Sequence, residues 1–309
     1  MHRILIPGGS GQVGSILARR FHAQGHEVTV LSRYPQNMPW RTLPWDGETA
    51  GVWTHLLNAT DIVINLAGRS VDCRYTESNR AQILRSRLDS TRIIGEAIAV
   101  AATPPKLWLN ASTATIYKHS MDRDQDELSG EIGDALPWNF SIDVATKWEE
   151  AFFAARTPQT RKVALRSAMT MSPDAGGVFS VLSRLVRLGL GGAAGSGEQF
   201  VSWLHHRDFT RAIDFLIDHE ELEGAVNLCS PHPLPNREFM AQLREAWQQP
   251  FGLPAQAWMV EVGAFFLRTE SELILKSRRV VPTRLLEAGF HFQYPNWREA
   301  AQQLVADAR

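Results

Sequence analysis

A glycine-rich turn set directly after a short apolar run constrains this chain more than any other feature. Ile4-Leu5-Ile6 leads into Pro7-Gly8-Gly9-Ser10-Gly11-Gln12-Val13-Gly14, after which Val13, Leu17 and Phe21 recur at helical spacing. The segment reads as strand, tight turn and helix. Glycines at 8, 11 and 14 permit a turn with positive φ, let backbone approach a diphosphate, and let the helix pack closely on the strand. The first turn of such a helix presents unpaired N–H groups and the positive end of its dipole to an anion. Ordinary strand-to-helix turns also use glycine. The placement between a buried strand and an amphipathic helix favours a dinucleotide site, with Gly8, Ser10, Gly11, Gln12, Val13 and Gly14 around the phosphates.

The second strand, His26 to Leu31, bears on which dinucleotide. It ends in Ser32-Arg33, with no Asp or Glu at the place where a doubly wound fold meets the adenosine ribose. A carboxylate there accepts hydrogen bonds from both ribose hydroxyls and repels a 2′-phosphate, whereas a guanidinium pairs with that phosphate in bidentate fashion. NADP(H) is therefore expected over NAD(H). The alternative for Arg33 is a surface arginine at a strand end.

Strands and helices then alternate. Asp61 to Asn65 runs into the small-residue turn Leu66-Ala67-Gly68, where backbone can pass over a cofactor. A helix over 76–101 carries Leu88, Thr91, Gly95 and Ile98 on one face, with Gln82, Ser86 and Arg87 nearer the sheet's carboxyl edge. A strand from Lys106 to Asn110 precedes the hydroxyl cluster Ser112, Thr113, Thr115 and Tyr117, where substrates of such folds bind. An acidic loop, 122–134, reads as solvated surface or a cover. In a helix from Ile142 to Ala155, Trp148, Ala151, Phe152 and Ala155 form an apolar face. Asp143 and Lys147 are an i,i+4 pair on another face, worth about 0.2–0.5 kcal/mol as a structural pair. Arg161 to Arg166 is a sixth strand, counting a short possible one around Arg41 to Trp45.

After Arg166 the alternation loosens into a glycine-rich stretch, 189–197, and the segment Phe200 to Asp208, with Asp208 placed to cap a helix running to Asp218. The expectation is an α/β fold. A Rossmann-like, doubly wound parallel sheet occupies 1–168 and takes back part of 200–230; a smaller substrate lobe occupies 169–309, including a C-terminal extension from about 254. A chain of 309 residues, 44% hydrophobic and 21% charged, can bury a core of that size.

A formal net charge of −1 gives no field suited to nucleic acid. No apolar run approaches the roughly 20 residues needed to span a bilayer, and the N-terminus enters the first strand without a secretory apolar region. A cytoplasmic protein without a membrane partner is expected, with both cysteines, Cys73 and Cys229, reduced. No metal site is expected: adjacent His205 and His206 on a strand point to opposite faces, and no carboxylate cluster joins them.

Taken together, the glycine turn with its G-x-x-G-x-x-G spacing, Ser32-Arg33, Asn65 to Gly68, Ser86-Arg87, Ser112 through Tyr117, Thr146 to Glu149, Leu188 to Gly192 with Gly195-Ser196-Gly197, Trp203-Leu204-His205 and the tail Val281-Pro282 through Phe292 cover nearly the whole chain. In this order they resemble an atypical extended short-chain dehydrogenase/reductase of the NAD-dependent epimerase/dehydratase superfamily. The narrower likeness is to its "epimerase family protein" branch, which ends in a small extension of unassigned role. The resemblance implies that Ser32 and Arg33 hold the 2′-phosphate, that Leu66, Ala67 and Gly68 pass over the adenosine side, and that Gln82 and Arg87 approach the cofactor. Lys147 matches the lysine that bonds the nicotinamide ribose, and Ser112 or Thr113 the hydroxyl that polarises the substrate. Members of the fold often dimerise through helices packed on the sheet, so a homodimer is a further implication.

One position departs from the pattern. Four residues before the lysine, typical members carry a tyrosine that acts as general acid/base; here that place holds Asp143. Members of the narrower branch commonly lack the tyrosine too. A carboxylate beside a lysine is ordinarily ionised and a poor proton donor at neutral pH. Asp143, Tyr117 or water then moves the proton. The leading expectation is an NADP(H)-dependent oxidoreductase or epimerase of a small carbonyl or hydroxyl compound. The alternative is a non-catalytic NADP(H)-binding regulatory or interaction protein.

Overall fold

In the computed structural model, which describes residues 1–133, 138–266 and 270–309, strict alternation of side chains along parallel strands builds a core on each face of one sheet. Asp134 of the acidic loop and residues 267–269 of the extension lie outside the described residues. In chain order the elements are β1 (Arg3–Pro7), α1 (Gln12–Ala23), β2 (Glu27–Ser32), β3 (Arg41–Pro44), β4 (Ile62–Asn65), α2 (Glu77–Ala99), β5 (Leu107–Thr113), α3 (Asn139–Ala154) and β6 (Arg161–Ser167). Then come β7 (Met169–Met171), α4 (Val178–Arg187), β8 (Phe200–Val201), β9 (Trp203–His205), α5 (His206–Asp218), β10 (Gly224–Leu228), β11 (Leu234–Pro235) and α6 (Asn236–Ala246). The chain ends in α7 (Ala257–Phe266), α8 (Glu272–Leu275), α9 (Thr283–Glu287) and α10 (Trp297–Asp307).

The main sheet has seven strands in the order β10-β6-β5-β4-β1-β2-β3, with every pairing parallel. Ile4 and Ile6, Ile62 and Ile64, and Leu107 and Leu109 face α1 and α5, where Leu17, Phe21, Phe209 and Ile213 complete the layer. Leu5, Val63 and Trp108, one residue out of phase, face α2 and α3, meeting Ile94, Ile98 and Phe152. This is a Rossmann-like doubly wound fold. Strand order reverses beside β1, so a crevice opens at the carboxyl ends of β1 and β4.

A second core lies beyond β6. Phe179 of α4, Trp203 of β9, Phe239 of α6 and Trp297 and Leu304 of α10 are buried together. The Phe239 and Trp297 rings stack with centroids 4.0 Å apart, and the Trp297 indole N–H donates to the Phe239 carbonyl at 2.9 Å. The C-terminal extension is not confined to this lobe, because Leu285 of α9 and Phe290 pack into the α1/α5 face of the main sheet.

Two local expectations are corrected. Asp208 does not cap α5, which starts two residues earlier at His206; its carboxylate instead accepts the Gln293 and Tyr294 N–H groups at 2.8 and 2.7 Å. The His205 and His206 rings do not point apart. The strand ends at His205, so the period-2 argument stops there, and the ring centroids lie 4.6 Å apart. Burial pushes His205 down to about 3, and no group of metal-ligating side chains occurs among the described residues.

Packing is tight at the start of the first helix. A Cβ on Gly14 would stand 2.4 Å from the Gly9 Cα, a backbone atom that cannot swing away. Gly14→Ala is expected to destabilise the protein by about 1–3 kcal/mol, as overpacking does, measured as a lowered midpoint in chemical denaturation.

Candidate dinucleotide and substrate cleft

The β1–α1 turn is shaped by what it must pass. Gly8 has φ +74°, and a Cβ there would fall 2.5 Å from the Ala67 Cα, so the turn and the segment after β4 meet backbone to backbone. Leu66 N–H donates to the Pro7 carbonyl at 2.8 Å and seals the approach. Around Gly11 the space is open, with nothing within 4 Å of a would-be Cβ. Gly11 is also the N-cap of α1 without a side-chain cap, so the first N–H groups of the helix stay available. A helix start with a cleared approach fits a diphosphate. The Ser32 hydroxyl, buried at the end of β2, donates to Ser10 Oγ at 2.9 Å, while Arg33 beside it is exposed.

From this turn a cleft of about 500 Å³ runs along the carboxyl edge of the sheet, past Gln12, Val13 and Leu66 to Gly68, toward Thr113 and Tyr75. Its only charged lining residues among those described are Arg69 and Arg87. Arg87 donates to the Arg69 and Ile83 carbonyls at 3.0 and 2.9 Å and lies 5.0 Å over the Trp148 ring. Burial pushes its guanidinium down to about 10, a sign of a cation held with little water. No carboxylate pairs with it among the described residues. Gln82, on the same helix, bonds Ser78 at 3.2 Å and lies outside the cleft lining.

Side-chain amides hold the cleft floor. Asn65 and Asn110, both fully buried, pair at 2.7 Å across β4 and β5, and Asn65 Oδ1 accepts the Ala67 N–H at 3.1 Å. β5 runs three residues past Asn110, because it pairs with β6 as far as Thr113 against Ser167. Ser112 and Thr113 therefore end a strand and both line the cleft. Their hydroxyls differ. Ser112 donates to Glu149 at 2.6 Å, whereas Thr113 Oγ1 accepts the Thr115 N–H at 3.1 Å and keeps its own proton uncommitted.

Glu149 belongs to a buried brace. It takes two hydrogen bonds from Arg166, at 2.8 and 2.7 Å; Arg166 also donates to the Tyr117 hydroxyl, which donates to Asn227 at 2.9 Å. Burial opposes the Arg166 charge, and the Glu149 bonds overcome it, holding the guanidinium firmly protonated. Tyr117 stands within this brace: it is 2% exposed, it lies outside the cleft lining, and burial pushes its phenol up to about 12.

The phase of α3 sets where Asp143 and Lys147 lie. Val144, Trp148 and Phe152 must be buried, and they rotate the helix so that Phe140, Ser141, Val144 and Trp148 face the cleft. One residue out of register is about 100° away. Asp143 and Lys147 make a half-exposed surface pair at 2.9 Å, and Lys147 borders a separate groove between α2 and α3. The i,i+4 pairs that face the cleft are Phe140 with Val144 and Val144 with Trp148.

A phenol does face the cleft, from an element sequence reasoning passed over. Tyr75 lies in the loop before α2, packed edge-on against Phe140 with centroids 4.9 Å apart, and burial pushes it up to about 12. That loop carries no periodicity, so no sequence signal marked it. Its backbone N–H donates to Glu270 of the C-terminal extension at 2.6 Å.

A doubly wound sheet with a glycine turn at its switch point and a cleft beside it defines a Rossmann-like nucleotide-fold protein. A family model described as the NAD dependent epimerase/dehydratase family matches residues 4–229, and the chain belongs to that family. Residues 257–304 match a domain of unknown function, DUF1731. The chain is 34% identical to the bovine epimerase family protein SDR39U1 over 98% of its length and 100% of the relative's. It is 32% identical to epimerase family protein SERP0438 of Staphylococcus epidermidis, over 99% of each. Among solved structures, the human epimerase family protein SDR39U1 with NADPH superposes with a TM-score of 0.84 at 29% identity, covering 99% of both chains. A nucleoside-diphosphate sugar epimerase from Corynebacterium glutamicum superposes with a TM-score of 0.77 at 25% identity, over 99% of this chain and 58% of that one.

Two substitutions separate wall from surface. Lys147→Ala is expected to cost at most about 0.5 kcal/mol and to leave NADPH affinity unchanged in fluorescence titration. Glu149→Gln strips the buried Arg166 of its counter-charge and is expected to cost about 3–5 kcal/mol, read by chemical denaturation.

Proposed function

We propose that this protein binds NADP(H) and uses it in the oxidoreduction or epimerisation of a small carbonyl or hydroxyl compound. The observation that carries the reading is the continuous cleft from the open start of α1 to the uncommitted Thr113 hydroxyl. The NADPH in the human relative's structure supports the choice of cofactor. In this reading the N–H groups at the start of α1 hold the diphosphate, Ser32 and Arg33 the 2′-phosphate, and the Leu66–Gly68 backbone passes over the adenosine side. When bound, the nicotinamide supplies hydride chemistry.

The chain's own residues do the rest. Thr113 donates a hydrogen bond to the reacting oxygen, and negative charge developing there is met by a hydroxyl positioned beforehand. Arg87, packed on Trp148, supplies the fixed positive charge that a lysine on the adjacent helix would otherwise bring. Val144 and Trp148 keep that wall free of competing proton carriers. The cleft lining contains no carboxylate, imidazole or lysine among the described residues, so the proton comes from a hydroxyl.

A second reading rests on that same wall: no α3 side chain facing the cleft is ionisable, which suits an NADP(H)-responsive binding protein without turnover. The two differ in linkage, since redox sensing requires unequal affinities for NADP⁺ and NADPH. Stopped-flow absorbance across a carbonyl panel tests turnover. Tight NADPH binding with no oxidation by any member overturns the oxidoreductase form; product analysis tests redox-neutral epimerisation.

Two outcomes are expected from mutants. Arg33→Ala weakens NADPH binding by about 1–3 kcal/mol and leaves NADH binding little changed, measured by calorimetry; equal losses overturn the 2′-phosphate assignment. Thr113→Val lowers turnover by about 10²-fold with NADPH affinity retained, the loss typical of one electrostatic donor.

A further inference from the structure

The cleft carries a cation that no carboxylate neutralises among the described residues. Arg69 lines it just past the Leu66–Gly68 turn, and its Nη2 donates to Asn79 Oδ1 at 2.7 Å. That is the guanidinium's one hydrogen bond among the described residues. A guanidinium has five N–H donors in a planar fork, so most of them are left for a ligand. A rigid frame holds the group in place. Asn79, in the first turn of α2, donates its N–H to Thr76 Oγ1 at 3.3 Å and its Nδ2 to the Arg74 carbonyl at 2.6 Å, which fixes the amide whose oxygen Arg69 meets. On the main chain, the Arg69 N–H donates to Ser86 Oγ at 2.9 Å, and the Arg69 carbonyl accepts Arg87 Nη1 at 3.0 Å. Arg69 is thus tied to α2 by both its backbone and its side chain.

We propose that the substrate is a small carbonyl compound bearing an anionic acid group, carboxylate or phosphate, and that Arg69 binds that group while Thr113 meets the carbonyl oxygen. This rests on the catalytic reading above and names the substrate class of the same site.

Three observations support the assignment. The first is which wall Arg69 belongs to. Asn79 links it to Arg74, the neighbour of Tyr75, whose ring meets Phe140 of α3 at 4.9 Å. Arg69 therefore stands with the aromatic pair at the starts of α2 and α3, whereas the cofactor's phosphates are assigned to the start of α1 and the end of β2. The second is charge. The lining holds Arg69 and Arg87 and no carboxylate among the described residues, and Arg87 is committed through Nη1 to two carbonyls and through its face to Trp148. A fork of donors facing a cleft matches a carboxylate or phosphate in bidentate fashion, and a neutral ligand leaves it unmatched. The third is size. A cleft of about 500 Å³ that seats the nicotinamide end of a cofactor has room for a small molecule beside it and none for a second nucleotide. Tyr75, Phe140 and Val144 offer apolar surface to the body of that molecule.

The test uses the full chain with NADPH and aldehydes of one shape: ortho, meta and para carboxybenzaldehyde, their methyl esters, and formylphenyl phosphate. One of the acids, or the phosphate, is expected to exceed the neutral esters by about 10²-fold in kcat/KM, and whichever kind does so identifies the acid group. Arg69→Gln is expected to remove that advantage, mostly through KM, with the esters and NADPH affinity little changed. Arg69→Lys, which keeps the charge and loses the fork, is expected to fall between the two. Esters turned over as well as the acids and the phosphate, a loss in Arg69→Gln shared equally by charged and neutral aldehydes, or preferred turnover of UDP-glucose overturns the proposal. So does a fall in NADPH affinity in Arg69→Gln that matches the fall in kcat/KM, since it gives the guanidinium to the cofactor. Calorimetry of the same aldehydes against the NADP⁺-loaded protein separates this proposal from the reading beneath it. Arg69-dependent binding of a charged aldehyde, with no aldehyde turned over, upholds the acid site and overturns the catalytic reading. Binding that Arg69→Gln leaves unchanged overturns the acid site, whatever is turned over.

Discussion

Where the first turn passes the end of β4, two backbones touch with no room for a side chain between them, and the geometry of the cleft follows from that contact. Gly8 can stand against Ala67 only because it has no Cβ and a positive φ. Ala67 stays in place because Asn65 holds its N–H and is itself held by Asn110. The result is a rigid rim built mostly of main chain and buried amides, beside which the start of α1 remains open. Arg87, Trp148 and Thr113 are arranged along that rim, and none of them helps to make it.

Much of this was legible in the amino-acid order because strand–helix alternation and glycine spacing are local signals. The strands around Ile4, Val28, Ile62, Leu107 and Val163 announce themselves by apolar runs, and parallel pairing follows from the helices between them. The side-chain roles were less legible, for a physical reason. On a helix, which of two adjacent residues faces a cleft depends on how large side chains seat against the sheet, and α3 seats by Trp148 and Phe152. A motif match places Lys147 at the site, and a rotation of one residue takes it to the surface. Likewise Ser112 and Thr113 are indistinguishable as letters. Only the buried Glu149–Arg166 pair, joined across 17 positions, claims the one and leaves the other. Tyr75 and Glu270 come together from positions nearly two hundred apart, across a loop that carries no period.

The distribution of charge across the site is consistent with its chemistry. Cations line the cleft while carboxylates lie behind it, in the Glu149 brace on one side and in the extension on the other. A polyanionic cofactor meets no like charge in the lining, and Glu149 is held behind it through the Ser112 hydroxyl.

The path of the C-terminal segment has a consequence for how the molecule comes apart. The chain sets Leu285 and Phe290 into the core beneath α1 and α5 and then Trp297 and Leu304 into the core around α4 and α6. Neither core is complete without a piece of the same short stretch. Two lobes joined only by a hinge can melt separately, but two lobes sharing a sealing segment lose packing together. The protein should therefore unfold as one cooperative unit despite its two hydrophobic centres, and loss of the tail should lower the stability of both.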